Sequence, residues 1–173
     1  HCAIPLPAAL AASLRPRLRQ AGCTTSLGVG YTPDWLTDLE TLAAGREVDL
    51  LLPNRKEAAL ICGEDEPEAY AAWAWAEGLT RGVLKLGDEG ALLIDGDGVR
   101  RISAPVVDAL DTTGAGDAFD AGLIDALLDD EPLDRCVERA CIAGALCTTV
   151  AGALRGLPDS SQLRTLREQT YGS

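Results

Sequence analysis

Two short, almost unbroken apolar runs, VDLLL at 48–52 and GVLKL at 82–86, constrain most strongly what this chain can fold into. A strand with one wet face alternates apolar and polar residues. VDLLL does not alternate, as expected of a parallel strand buried on both faces, and GVLKL is the next strand. Helical periods surround them. Residues 7–20 are rich in Ala, Leu and Arg, a second helix is predicted from Pro33 and Asp34 to about residue 44, a short one ends near Ile61, and another covers 66–77 with Gly78 closing it. Further strands are predicted at 23–29, 91–94 and 99–103, with GDEG at 87–90 and DGDG at 95–98 as turns. Helices are expected over 114–128, 132–150 and 159–168. Strand and helix periods that alternate in this way define a layered α/β domain, and 173 residues suffice for one with a real core.

Charge removes some partners. The chain has 27 acidic against 15 basic residues, a net charge of −12. Duplex nucleic acid and anionic membranes would be repelled by most of such a surface. Arg15, Arg17 and Arg19 read as a solvated helix face. No apolar stretch approaches the roughly 20 residues that span a bilayer. Of the six cysteines, Cys136, Cys141 and Cys147 are expected on one helix. At about 100° per residue their spacings leave them on different faces, so reduced thiols and a cytoplasmic setting are expected. The chain opens on His1 and contains no Met, which reads as a piece of a longer protein.

The segment with chemistry in it is Asp111-Thr112-Thr113-Gly114-Ala115-Gly116-Asp117-Ala118-Phe119, predicted to join a strand end to a helix start. Gly114 and Gly116 leave the backbone bare, so an anion can approach it. The first amides of a helix have no intrahelical acceptor, and the helix dipole favours negative charge at that end. The result is a cradle for a phosphate or for the charge spreading over a phosphoryl group in transfer. Asp117 stands in the first turn of the same helix, where a carboxylate can accept a proton from an attacking hydroxyl. The G-x-x-x-x-G-K-[ST] pattern of P-loop NTPases is absent from this sequence. Phe119 occupies the place where a dinucleotide fingerprint needs its third Gly. On these grounds alone a plain glycine-capped helix is an equal alternative.

DTTGAGDAF, continued by Asp120-Ala121-Gly122, resembles the second signature of PfkB/ribokinase-type kinases. The resemblance covers essentially the whole chain, aligned to the C-terminal half or more of such kinases. It implies a ribokinase-like three-layer α/β/α sandwich with a mostly parallel central sheet. The N-terminal half, with the lid and most of the sugar contacts, would be missing, so that residues 1–173 are the nucleotide-binding part of one kinase domain. It implies Asp117 as catalytic base and Gly114, Ala115 and Gly116 as anion hole, with Asp111 and Thr113 helping to hold a monovalent cation such as K+. LPNRKE at 52–57 resembles the family's N-x-x-E motif, with Asn54 and Glu57 tied to the magnesium and phosphate region. Read without the family, Asn54 is a helix-capping residue. KLGDEG at 85–90 resembles the nucleotide-binding turn, giving roles to Lys85, Gly87 and Gly90, with a simple hairpin turn as the alternative. Residues 148–156 match the region that completes the cation and adenine site, though Cys141 departs from the polar residue common there. Gly28 stands where relatives carry an Asp.

The implied activity is ATP-dependent phosphoryl transfer to a hydroxyl of a sugar or sugar acid, with ATP and Mg2+ as cofactors and a homodimer in the full-length form. A non-catalytic or truncated nucleotide-binding module, and a nucleoside kinase of the same superfamily, are the alternatives.

Overall fold

The computed structural model describes residues 1, 8–30, 48–79 and 81–172. The helix expected at 33–44 lies outside them. In chain order the described elements are α1 (Ala8–Gln20), β1 (Ser26–Gly28), β2 (Leu50–Leu52), α2 (Arg55–Cys62), α3 (Pro67–Ala76), β3 (Gly82–Lys85), β4 (Ala91–Asp95), β5 (Gly98–Ile102), α4 (Ala115–Leu128), α5 (Leu133–Thr148) and α6 (Ser160–Tyr171). They form two compact units, His1–Lys85 with Ile94–Val99, and Leu86–Leu93 with Arg100–Ser173.

The first unit contains β1, β2, β3 and the adjoining ends of β4 and β5, in the strand order β1-β2-β3-β4-β5. β1 and β2 pair in parallel, with Ser26 opposite Leu50, Leu27 opposite Leu51 and Gly28 opposite Leu52. β3 is parallel to β2, with Leu51 opposite Gly82. All three residues of β2 are buried, as are Val83 and Leu84 of β3. This accounts for the lack of alternation in both runs: neither face of these strands meets water. Burying each such side chain contributes about 1.5–3 kcal/mol. β1 is shorter than the predicted 23–29. Just before it, the Asp49 carboxylate accepts both the amide and the hydroxyl of Thr25, each at 2.7 Å.

In the second unit α4 packs on α5 through glycines. A Cβ on Gly122 would stand 2.8 Å from the Ala143 Cβ, and one on Gly144 would stand 3.2 Å from the Ala115 carbonyl oxygen. The helices therefore approach closely, and the end of α5 lies beside the start of α4. Leu123, Val137, Ile142 and Cys136 are fully buried around this contact. α6 opens with a capping box, in which the Asp159 carboxylate accepts the amides of Ser161 and Gln162 at 2.8 and 2.9 Å. It runs three residues past the predicted end because the Tyr171 hydroxyl donates to the Ser103 carbonyl at 2.5 Å. The segment ahead of the glycine motif differs from its prediction as a strand end: residues 103–109 are irregular. The described cysteines Cys23, Cys62, Cys136, Cys141 and Cys147 are all free thiols. Among the described residues no helix is long and apolar enough to cross a membrane.

Candidate active site at the start of α4

The chain reaches α4 over a short, heavily bonded path. The amides of Leu110 and Asp111 both donate to the Thr148 carbonyl at the end of α5, at 2.7 and 3.0 Å. The Asp111 carboxylate then bridges two loops. Its Oδ1 accepts the Thr113 amide at 3.0 Å and its Oδ2 accepts the Gly152 amide at 2.9 Å. These bonds, those from Thr113 first, hold the Asp111 carboxyl below the usual carboxylate range. Asp111 is thus a charged clip between residues 111–113 and the loop after α5.

Gly114 caps α4 in the left-handed conformation, φ 80°. Two constraints demand glycine here. An L side chain is strained at this φ, and a Cβ would lie 2.6 Å from the Ala153 Cβ and 3.0 Å from its Cα. The Ala115 amide donates to the Thr112 carbonyl at 3.2 Å, and the Ala118 amide closes the first helical bond to the Gly114 carbonyl at 2.9 Å. Among the described residues, the amides of Gly114, Gly116 and Asp117 donate to no protein acceptor. Asp117 is the third residue of α4, and its side chain is exposed. A solvent-facing carboxylate and a group of open amides therefore share one helix mouth. Such a mouth can receive an anion and place a proton acceptor beside it.

The other predicted residues fall as follows. Gly87 and Gly90 bound a one-turn 3-10 segment, Gly87–Glu89, with φ of 67° and 95°. The Leu86 amide donates to the Gly90 carbonyl at 2.8 Å, and a Cβ on Gly90 would meet the Ala104 amide nitrogen at 2.6 Å. Glu89 of this turn pairs with Arg101 at 3.0 Å. Gly90 is therefore required by the backbone that passes behind it, whatever lies in front. In the first unit, Asn54 caps α2. Its Oδ1 accepts the Glu57 amide at 3.0 Å, and the Glu57 Oε2 accepts the Asn54 amide at 2.8 Å. The capping reading of Asn54 thus holds, and Glu57 reciprocates while only 4% exposed. Lys85 ends β3, with its amide donating to the Pro53 carbonyl at 2.9 Å. Among the described residues no three His, Cys, Asp or Glu side chains converge as ligands for a metal ion.

Sequence reasoning assigned nothing to single residues of 148–156, yet Thr148, Gly152 and Ala153 bond or pack directly against the motif. The small residues of this stretch were the available signal, since close backbone approach needs them.

This α/β fold, a mostly parallel sheet flanked by helices, is ribokinase-like. The fructokinase double mutant of Vibrio cholerae O395, in its fructose-, ADP- and potassium-bound form, superposes with a TM-score of 0.81 at 24% identity, covering 96% of this chain and 59% of that one. Aminoimidazole riboside kinase from Salmonella enterica, complexed with aminoimidazole riboside and an ATP analog, gives 0.78 at 29% identity, covering 91% and 56%. In sequence the chain is 33% identical over 153 residues to 2-dehydro-3-deoxygluconokinase of Bacillus subtilis, which covers 84% of this chain and 47% of that enzyme. Residues 5–160 match the model of the pfkB family carbohydrate kinases, and the chain belongs to that family. It spans about half the length of the curated relatives it matches.

Proposed function

We propose that this chain supplies the phosphoryl-transfer site of an ATP-dependent carbohydrate kinase, with Asp117 as general base and Gly114, Ala115, Gly116 and Asp117 as the anion hole. The observation that supports it most is the exposed Asp117 carboxylate in the first turn of a helix at whose mouth the amides of Gly114, Gly116 and Asp117 have no acceptor among the described residues. Family membership and the nucleotide-bound neighbours support the same reading. In this mechanism Asp117 accepts the proton of an acceptor hydroxyl as that oxygen bonds to phosphorus. The open amides offset the charge that grows on the transferring group, and they do so without reorganising because the helix and Gly114 already hold them. ATP, when bound, would supply the phosphoryl group, and Mg2+ would neutralise part of its charge. The mouth fits an anionic group: it presents donors, and Gly114 has no side chain to fill it.

The remaining assignments belong to the same proposal. Asn54 and Glu57 serve the magnesium and phosphate region, and Lys85, Gly87 and Gly90 serve the nucleotide. Asp111 and Thr113 help to hold K+, for which the ionised Asp111 carboxylate retains lone pairs beyond its two amide bonds. A cytoplasmic setting and a dimer in the full-length protein complete it. The acceptor is a sugar or sugar acid. A riboside is the second reading, favoured by 42% identity over 88 residues to aminoimidazole riboside kinase of Salmonella typhimurium.

The test is Asp117→Asn, assayed for phosphoryl transfer to a panel of sugars, sugar acids and ribosides, with Mg-ATP affinity measured by calorimetry. Loss of a general base is expected to lower turnover by about 10²–10⁴-fold while nucleotide affinity stays near the parent value. Turnover equal to the parent's would refute the role of Asp117. Nucleotide binding without transfer to any acceptor would leave a binding module.

A further inference from the structure

Below the helix mouth, in the second unit, residues 152–153 are held at two points. The Asp111 Oδ2 accepts the Gly152 amide at 2.9 Å, and the Cys147 Sγ donates to the Ala153 carbonyl at 3.4 Å. Ala153 is the residue on which Gly114 rests, since a Cβ on Gly114 would stand 2.6 Å from the Ala153 Cβ. The same sulfur lies 3.9 Å from the Thr113 carbonyl oxygen. For sulfur and oxygen this is a packing contact, with the thiol proton directed at Ala153. The Thr113 C=O and the Gly114 N–H belong to one planar trans peptide and point in opposite directions. Whatever seats that carbonyl therefore aims that amide.

We infer that Cys147 is a positioning residue for phosphoryl transfer: by bonding the Ala153 carbonyl and packing beneath the Thr113–Gly114 peptide, its thiol fixes the height and aim of the Gly114 amide at the helix mouth. The inference rests on the mouth being the phosphoryl site and adds a residue that touches no reacting group. Three further observations favour it. Cys147 is fully buried at the end of α5, where the tight α4–α5 contact holds the backbone still. Burial first, then the Asp111 and Asp117 carboxylates, push its thiol up, so the proton needed for the bond to Ala153 stays on sulfur. The loop lies directly against this residue: a Cβ on Gly156 would overlap the Cys147 carbonyl oxygen and stand 3.0 Å from the Cys147 Cα.

The experiment compares the parent chain with Cys147→Ala and Cys147→Ser. Calorimetry gives the affinity for Mg-ADP alone and for Mg-ADP with aluminium fluoride, which mimics the transferring phosphoryl group, and thermal melting accompanies it. The gain in affinity on adding fluoride reads how well the amides are aimed, while ADP alone does not. Cys147→Ala is expected to keep ADP affinity within about twofold and to lose about tenfold or more of the fluoride gain, on the scale of one misdirected donor. Cys147→Ser restores a donor and recovers most of the gain. An alanine variant that stays folded with the full fluoride gain overturns the inference. If that variant melts below the assay temperature, Cys147→Val, which fills the volume without a donor, replaces it, and full gain there overturns the inference equally. A parent chain with no fluoride gain, unchanged by Gly114→Ala, is a separate result. It removes the phosphoryl-site reading itself and the role of Cys147 with it.

Discussion

Replacing Gly114 with alanine adds one methyl group where the backbone is left-handed and the neighbouring loop is already in contact. The cost has two parts that can be measured apart. Holding an L residue at φ 80° costs about 1–2 kcal/mol. Forcing two Cβ atoms from 2.6 Å out to ordinary contact moves the loop at Ala153 by about an ångström, and overpacking of this kind costs about 1–3 kcal/mol. Gly87 isolates the first part, because it lies in the same unit at φ 67° and a Cβ there meets nothing within 4 Å. Gly87→Ala should therefore lower stability by about 1–2 kcal/mol and Gly114→Ala by about 2–5 kcal/mol. In a domain of this size the second figure corresponds to a fall in Tm of roughly 4–20 °C. Urea unfolding of the two variants measures both. The partner substitution Ala153→Gly, combined with Gly114→Ala, should return part of the overlap term and none of the φ term, giving a coupling energy in a double-mutant cycle. The reasoning fails if Gly114→Ala costs no more than Gly87→Ala, or if removing the Ala153 methyl restores nothing.

Two further outcomes follow from single groups. The folded-state pKa of Asp111 lies below its unfolded value of about 3.9, so its contribution is complete above that value and is lost as pH falls through the lowered one. Asp111→Asn should then be less stable than the parent at pH 7, and the gap between their urea midpoints should close as the pH is lowered through the acid range. A gap that stays constant with pH would show that the clip between Thr113 and Gly152 does not depend on charge. Burial pushes the Cys141 thiol up to about 12 and raises that of Cys147, while Cys23 is exposed. Alkylation of the native protein, followed by peptide mapping, should therefore label Cys23 well before Cys136, Cys141 or Cys147. Early labelling of Cys147 would contradict the packing beneath the helix mouth.

How much of this was legible in the sequence depends on the range of the forces involved. VDLLL announced a buried strand because double-faced burial leaves its mark on each residue of the run, and GVLKL announced a strand whose burial the fold then decided. DTTGAGDAF announced a helix mouth with open amides and a carboxylate because caps, glycine and the first helical turn act within a few residues. The capping reading of Asn54 was legible, and the fold added the reciprocal Glu57 bond that makes it a capping box. The strand expected before the motif did not form. Residues 106–110 carry strand-like composition, but a strand exists only where a ladder partner is offered, and the Leu110 and Asp111 amides bond the Thr148 carbonyl instead. The engagement of Asp111 with Gly152, the seat of Gly114 on Ala153 and the contact of the Cys147 thiol with Thr113 join residues 34 to 41 positions apart. No local period or propensity encodes such pairs. They arise when α4 and α5 close on each other through Gly122 and Gly144 and carry the loop after α5 up against the motif. Local backbone preference, then, wrote the helix mouth into the sequence, and long-range packing alone decided what that mouth rests on.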